Sequence, residues 1–133
     1  MRDRKEIEDV FLRVLQEDKA APEIAQAVRD FSDSDWQELY GLAVRTRLVP
    51  IFYSRFFSFA GGCQEDFKKL YLVNLKRNLI LEQELKKIIL CLRERDIPVI
   101  PLKGPALARY LYADLGLRQT SNDLDLLVPY EKI

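Results

Sequence analysis

Two aspartates near the end of the chain have the spacing of a metal-binding pair. Asp123 and Asp125 are separated by one leucine in a run that is otherwise apolar. Residues two apart on a β-strand point to the same face, so a strand here would hold the two carboxylates side by side, about 6.6 Å apart at the backbone. Leu124, Leu126 and Val128 would line the other face. Two such charges repel each other unless a cation lies between them, and carboxylate oxygens select Mg²⁺, Mn²⁺ or Ca²⁺.

A lysine and a glycine upstream of the aspartates form a candidate anion-binding turn. Lys103-Gly104 follows the apolar run 97–102 and precedes a helical pattern over 105–112, which predicts a strand, a turn and a helix. Pro101 lacks a backbone donor and therefore places this strand at an edge or makes it irregular. A helix start of this kind attracts anions, and the lysine adds a full positive charge. A phosphate cradle beside paired carboxylates is typical of a phosphoryl-transfer site.

The same features also have purely structural interpretations. An Asp-x-Asp pair occurs on solvated strand edges, and Lys-Gly before a helix is a common turn signal. Pro105 occupies the first helical position and removes one N–H, so Lys103 and the Gly104 backbone would carry more of an anion contact. Arg118 would either form a salt bridge with one of the two aspartates or contact a phosphate. The residues leave both alternatives open.

Apolar residues at three- and four-residue spacing predict helices over most of the first 95 residues. The first two predicted helices cover 3–17 and 22–31, and a third starts with a capping box from Ser34 to Gln37. A short aromatic-rich turn of helix follows at 51–57, before Gly61-Gly62. The last predicted helix is the long segment 64–95. Asn78 and Glu82 interrupt the apolar face of the long helix, which favours a polar contact between helices over a functional role. The sequence Asp96-Ile97-Pro98 ends this helix because proline cannot continue it.

Composition excludes several classes of function. The chain has 133 residues, 48% of them apolar and 32% charged, which suits one small globular domain. Lysine plus arginine and aspartate plus glutamate both total 21, so the net charge is zero and a nucleic-acid substrate is disfavoured. There is no histidine, which excludes histidine catalysis and histidine-ligated zinc. Cys63 and Cys91 are predicted to be free thiols. The absence of a signal peptide or membrane-length apolar run predicts a cytoplasmic protein without a membrane partner.

Four short motifs resemble the nucleotidyltransferase superfamily related to DNA polymerase beta. Within that superfamily the chain is similar to a largely uncharacterised bacterial family whose first motif is Lys-Gly. The matching motifs are Leu102-Lys103-Gly104, Leu111-Tyr112, Gly116-Leu117-Arg118 and the run from Asp123 to Val128. The motif-bearing part covers 97–129, and the helical segment with Arg77-Asn78 resembles the family more loosely.

This resemblance implies a mostly helical α+β fold. A helical region, 1–95, would lead as a bundle into the beginning of a nucleotidyltransferase catalytic domain at 96–133, with the first strand, helix and strand of an incomplete sheet. The protein would transfer a nucleoside monophosphate from an NTP such as ATP to an acceptor hydroxyl.

The resemblance also assigns roles to the motif residues. Asp123 and Asp125 would be the catalytic residues and would hold Mg²⁺, or Mn²⁺. Lys103, Gly104 and Arg118 would bind the nucleotide. The partners are then an NTP and an acceptor whose nature the sequence does not identify.

Family members carry a third carboxylate on a later strand. Glu131 lies too close to Asp125 in sequence to supply it. The 133 residues are therefore expected to be the N-terminal piece of a longer enzyme and to be inactive alone. The competing hypothesis is a non-catalytic helical module whose exposed strand edges pair with a second copy to form a homodimer.

Overall fold

A computed structural model describes residues 2–16, 21–56 and 64–132. Within these residues the chain is mostly helical and has one two-stranded antiparallel sheet. The elements are α1 (Arg4–Gln16), α2 (Ala21–Val28), α3 (Asp33–Arg45), α4 (Val49–Phe56), α5 (Gln64–Arg93), β1 (Ile100–Pro101), α6 (Pro105–Leu111), β2 (Leu126–Leu127) and a short 3-10 helix (Tyr130–Lys132). The predicted mostly helical α+β class with an incomplete sheet is confirmed.

The chain divides into two compact units, Met1–Tyr71 and Leu72–Ile133. This division falls inside α5, so one helix contributes residues to each unit. The sequence predicts a different kind of boundary, between residues 95 and 96, where the helical region meets the motif-bearing region. That domain boundary stays a prediction.

The first unit has a hydrophobic core built from one face of each of its helices. Its rings pack in pairs: Phe11 stacks on Phe52 with centroids 4.7 Å apart, and Tyr40 meets Phe67 edge to face at 5.0 Å. The predicted core role of the aromatic-rich turn is confirmed for Phe52, which is fully buried. The other buried members are Ile7, Val10, Val14, Ile24, Val28, Trp36, Leu39, Ala43 and Val49.

A capping box fixes the start of α3, but it is not the predicted one. The N-cap is Ser32 rather than Ser34, and its hydroxyl accepts the backbone N–H of Asp35 while the Asp35 carboxylate accepts the backbone N–H of Ser32 at 2.9 Å. The Ser32 hydroxyl also donates to this carboxylate at 2.6 Å, and the backbone N–H of Arg2 donates to its other oxygen at 2.7 Å. These donors make Asp35, only 2% exposed, tolerable in the interior.

The long helix α5 ends in a Schellman motif. Asp96 adopts a left-handed backbone conformation with a φ of 53°. The Ile97 N–H donates to the Leu92 carbonyl at 2.9 Å, and the Asp96 N–H donates to the Arg93 carbonyl at 3.0 Å. The helix thus stops before Pro98 is reached. None of the helices among the described residues is long and apolar enough to cross a membrane.

The sheet is shorter than the sequence predicts. Ile100 pairs with Leu127 and Pro101 with Leu126, and one further ladder bond joins the Leu102 N–H to the Asp125 carbonyl at 3.0 Å. The prediction that the two aspartates lie within a strand is therefore wrong, because β2 begins after them. The chain leaves β1 at the Lys-Gly turn, so the aspartate segment has no neighbouring strand with which to continue the ladder.

Two smaller predictions concern residues that the structure does not describe. Cys63, the Gly61-Gly62 pair and the last residue of the 51–57 segment lie outside the described residues. The other cysteine, Cys91, is an exposed free thiol, as predicted.

The buried carboxylate of Asp35 predicts a specific acid sensitivity. Hydrogen bonds, chiefly from the Ser32 hydroxyl and then from the Arg2 backbone, lower the pKa of Asp35 from 3.8 to about 2. A group whose pKa falls on folding contributes stability that is present above its unfolded pKa and is lost as the pH falls toward its folded pKa. We therefore expect the stabilisation from Asp35 to disappear between about pH 4 and pH 2.

Urea denaturation followed by circular dichroism measures this effect. The Asp35→Asn variant should lose about 1–2 kcal/mol at pH 7, as for other lost caps, and the difference from the parent protein should shrink toward pH 2. Asp33→Asn removes an exposed carboxylate from the same helical turn and serves as the matched control. A pH-independent difference between Asp35→Asn and the parent would contradict the prediction.

Candidate active site

The turn between β1 and α6 requires a glycine. Gly104 is the N-cap of α6 and has φ 73° and ψ −137°, a backbone conformation that side-chain-bearing residues rarely adopt. Pro105 at the first helical position has its φ fixed near the helical value and starts α6 directly after the turn. Both residues are buried, so this corner of the second unit is firmly placed. The predicted Lys-Gly turn before a helix is present.

The lysine of this turn contacts one of the two aspartates. Lys103 Nζ lies 2.5 Å from Asp125 Oδ2, and the two side chains are 47% and 42% exposed. Opposite charges at this separation attract strongly in a dry interior but only weakly in water. An exposed pair of this kind contributes about 0–1 kcal/mol to stability, so it can exchange for other partners.

The second aspartate lies next to the glycine. A Cβ built on Gly104 would be 3.9 Å from the backbone oxygen of Asp123, and no other heavy atom of the described residues, apart from its chain neighbours, comes within 4 Å of it. Asp123 is exposed, and within the described part of the chain its carboxylate forms no hydrogen bond or ion pair. Lys103 and Gly104 thus lie beside both aspartates at one corner of the second unit, Asp125 through its carboxylate and Asp123 through its backbone oxygen.

Arg118 is held against α5 by its backbone. Its carbonyl accepts one hydrogen bond from Asn74 and one from Asn78, both at 2.8 Å. Its Nε atom is buried and has no hydrogen-bond partner among the described residues. No ion pair in the described ranges joins Arg118 to Asp123 or Asp125, so the structural salt bridge considered from the sequence does not form.

Polar residues of α5 supply contacts that the motif pattern did not identify. Asn78 was expected to make a polar contact between helices, but it instead hydrogen-bonds the loop after α6, together with Asn74. The predicted contact between helices is confirmed for Glu82, whose two carboxylate oxygens accept from Arg109 of α6 at 3.0 and 3.1 Å. One feature of the sequence could have indicated the asparagine contacts: Asn74 and Asn78 are four residues apart, which places them on the same face of the helix.

The carboxylate oxygens at this corner suit a hard divalent cation that takes only part of its coordination shell from the protein. Residues 2–16, 21–56 and 64–132 contain no group of three or more acidic, cysteine or histidine side chains able to hold a metal. Two carboxylates alone match the usual protein contribution to Mg²⁺, which completes its shell with water and substrate phosphates. Asp123 and Asp125 fit this role because their side chains offer carboxylate oxygens and are exposed.

Comparison with known proteins identifies the family. The family described as uncharacterised nucleotidyltransferase matches residues 32–133, which is well over half of the chain. No curated protein and no solved structure matches the sequence. The family match includes the Lys-Gly turn, Arg118 and both aspartates. The chain therefore belongs to the family of uncharacterised nucleotidyltransferases.

Proposed function

We propose that this protein contributes the nucleotide- and metal-binding corner of an enzyme that transfers a nucleoside monophosphate from an NTP to an acceptor hydroxyl. The observation that carries the proposal is the contact between Lys103 and Asp125, since it brings the candidate phosphate-binding cation to a candidate metal ligand. Family membership supplies the nucleotidyl-transfer chemistry. Kinship with the superfamily of DNA polymerase beta is part of the same proposal.

In this proposal the two aspartates hold the metal. A bound Mg²⁺ or Mn²⁺ would supply positive charge to the transferring phosphate and to the acceptor oxygen. The aspartates contribute negative oxygens on exposed side chains that require no unfolding to reach a ligand.

In this proposal Lys103 contacts Asp125 before the nucleotide binds and a phosphate of the nucleotide afterwards. Without ligand its ammonium neutralises Asp125, and with a metal-bound triphosphate present it would bind a phosphate oxygen instead. The exposed setting keeps the cost of this exchange small, because such ion pairs are weak. Gly104 has no side chain, so a phosphate can approach its backbone closely. The guanidinium of Arg118 would donate to a further phosphate oxygen.

A third carboxylate completes the proposed catalytic centre. The described residues cluster no third acidic side chain with the two aspartates. We place this group outside the 133 residues, on a later strand of the same enzyme. The proposal therefore separates nucleotide binding, which these residues should perform, from turnover, which they should not.

Metal-dependent nucleotide binding tests the first half of the proposal. Isothermal titration with ATP, GTP, CTP and UTP in Mg²⁺ should show binding of at least one nucleotide, and Asp123→Asn or Asp125→Asn should weaken it at least about tenfold, or ~1.4 kcal/mol. Glu94→Gln, an exposed charge-matched control elsewhere in the second unit, should bind as the parent protein does. Equal affinities with Mg²⁺ and with EDTA would contradict the proposal.

Pyrophosphate release tests the second half. The 133-residue chain with labelled NTP and Mg²⁺ should release no more pyrophosphate than its Asp123→Asn variant, because the carboxylate that serves as base is absent. Release well above that of the variant would show that these residues form a complete catalytic centre.

The exposed sheet favours a second candidate function, self-association as a non-catalytic module. Ile100 and Leu127 are register partners on one face of the sheet and are 60% and 53% exposed. In the described part of the chain, each strand has only one neighbour and leaves its other edge free. Such edges are templates for pairing with a second copy.

Molar mass as a function of concentration tests this alternative. Light scattering after gel filtration should show a dimer that Leu127→Lys weakens at least about tenfold, because a charge opposes edge pairing. Leu90→Lys, at a comparably exposed leucine on α5, is the matched control. A monomer at every concentration would exclude the self-association function.

A further inference from the structure

The second unit buries two asparagines in place of apolar side chains. Asn74 and Asn78 are 4% and 0% exposed and lie four residues apart on α5, so their side chains share a face of the helix. Buried primary amides are costly unless their polar atoms are hydrogen-bonded. The partners of the two Nδ2 atoms therefore explain their presence, and Asn74 Oδ1 is left without a partner among the described residues.

Both amides donate to one loop, and they converge on one atom. Asn74 Nδ2 donates to the carbonyls of Gly116 at 2.7 Å and Arg118 at 2.8 Å. Asn78 Nδ2 donates to the carbonyls of Leu115 at 2.6 Å and Arg118 at 2.8 Å. The Arg118 carbonyl thus receives two side-chain donors. We call this set of four bonds the asparagine clamp.

Two more contacts extend the asparagine clamp toward the aspartates. The Thr120 hydroxyl donates to Asn78 Oδ1, and Arg77 Nη1 donates to the Thr120 carbonyl at 3.4 Å. Thr120 is 8% exposed and lies three residues before Asp123. The segment 115–120 is therefore fixed at four carbonyls and one hydroxyl, just before the candidate metal ligands.

The clamp binds Arg118 at its backbone carbonyl and makes no contact with its guanidinium. The Nε atom of Arg118 is buried with no partner in the described ranges. A buried donor of a charged group left unpaired is unfavourable, and an anion that accepts from it removes that penalty. The fixed backbone and the unpaired Nε atom together are what a preorganised anion-binding arginine requires.

We propose that Asn74 and Asn78 are positioning residues that hold the 115–120 segment so that Arg118 binds the polyphosphate of the nucleotide. This inference rests on the proposed nucleotidyl-transfer function and adds the residues that orient the phosphate-binding arginine. Their effect on phosphate binding is exerted through Arg118. Loss of the clamp should matter only while the arginine is present.

A double-mutant cycle between Asn78 and Arg118 tests this dependence. The probe is tripolyphosphate, titrated into the full chain by calorimetry. Asn78→Ala and Arg118→Ala should each weaken binding about tenfold, and the double variant should be no weaker than either single variant, because the two residues act as a unit. Gln83→Ala removes an exposed amide from the same helix and should leave the affinity unchanged.

A milder pair of variants covers the risk that Asn78→Ala fails to fold. Thr120→Val removes the hydroxyl that donates to Asn78, whereas Thr120→Ser keeps it. Thr120→Val should weaken tripolyphosphate binding several-fold and speed hydrogen–deuterium exchange in 115–122, and Thr120→Ser should restore both. Circular dichroism confirms that each variant is folded.

The outcomes separate this inference from the proposed function. Additive losses in the cycle, or faster exchange in 115–122 with unchanged affinity, would show that the asparagine clamp is only structural and overturn the inference. A parent protein that does not bind tripolyphosphate would also overturn it. If the cycle is coupled but Asp123→Asn and Asp125→Asn leave nucleotide binding unchanged, the inference stands and the proposed metal-dependent function fails.

Discussion

The need to satisfy buried polar groups shapes both units of this protein. In the first unit, Asp35 lies among apolar residues and fixes the start of α3 through the Ser32 hydroxyl and backbone. In the second unit, Asn74 and Asn78 lie inside and fix a loop through its carbonyls. Asp35 and Asn78 are tolerated because both ends of each side chain are hydrogen-bonded, and Asn74 because its Nδ2 atom donates two bonds. Such bonds define one conformation more sharply than apolar packing alone does.

The candidate site combines firm placement with weak charge pairing. Gly104 and Pro105 are buried and set the direction of the chain, whereas Lys103 and Asp125 meet in an exposed ion pair. A buried pair would hold its partners permanently, because separating them would leave uncompensated charge. An exposed pair can open at little cost. This division suits a site that keeps its backbone geometry while its charged groups change partners on binding.

The two units differ in how much apolar surface they bury. The first has a contiguous core, whereas the buried apolar side chains of the described second unit are few, namely Leu85, Pro105, Ala108 and Leu115. Among the residues that the structure describes, most large apolar side chains with high exposure belong to the second unit, including Tyr110 and Tyr130 at 86% and 87%. Exposed apolar surface of this kind is typical of interaction sites. It is the physical basis of the self-association alternative.

Local sequence patterns determined the helices and the turn that bear the candidate site. The apolar spacing of α1 and α5 and the Lys-Gly-Pro sequence before α6 depend only on neighbouring residues, so they could be predicted without a fold. The mostly helical α+β class follows from them. The spacing of Asp123 and Asp125, together with the Lys-Gly motif, was likewise enough to suggest a phosphoryl-transfer site and its family.

Only the tertiary structure decided how distant segments pair. The aspartate segment was expected to be a strand, but its partner strand turns away at Lys103, and a ladder requires two strands. The choice of Ser32 over Ser34 as N-cap followed from the burial of Asp35. The contacts of Asn74 and Asn78 with residues about 40 positions later leave no periodic signal in the sequence. Such pairings arise when separate elements pack, because a buried polar atom without a partner costs free energy and most buried polar atoms therefore pair.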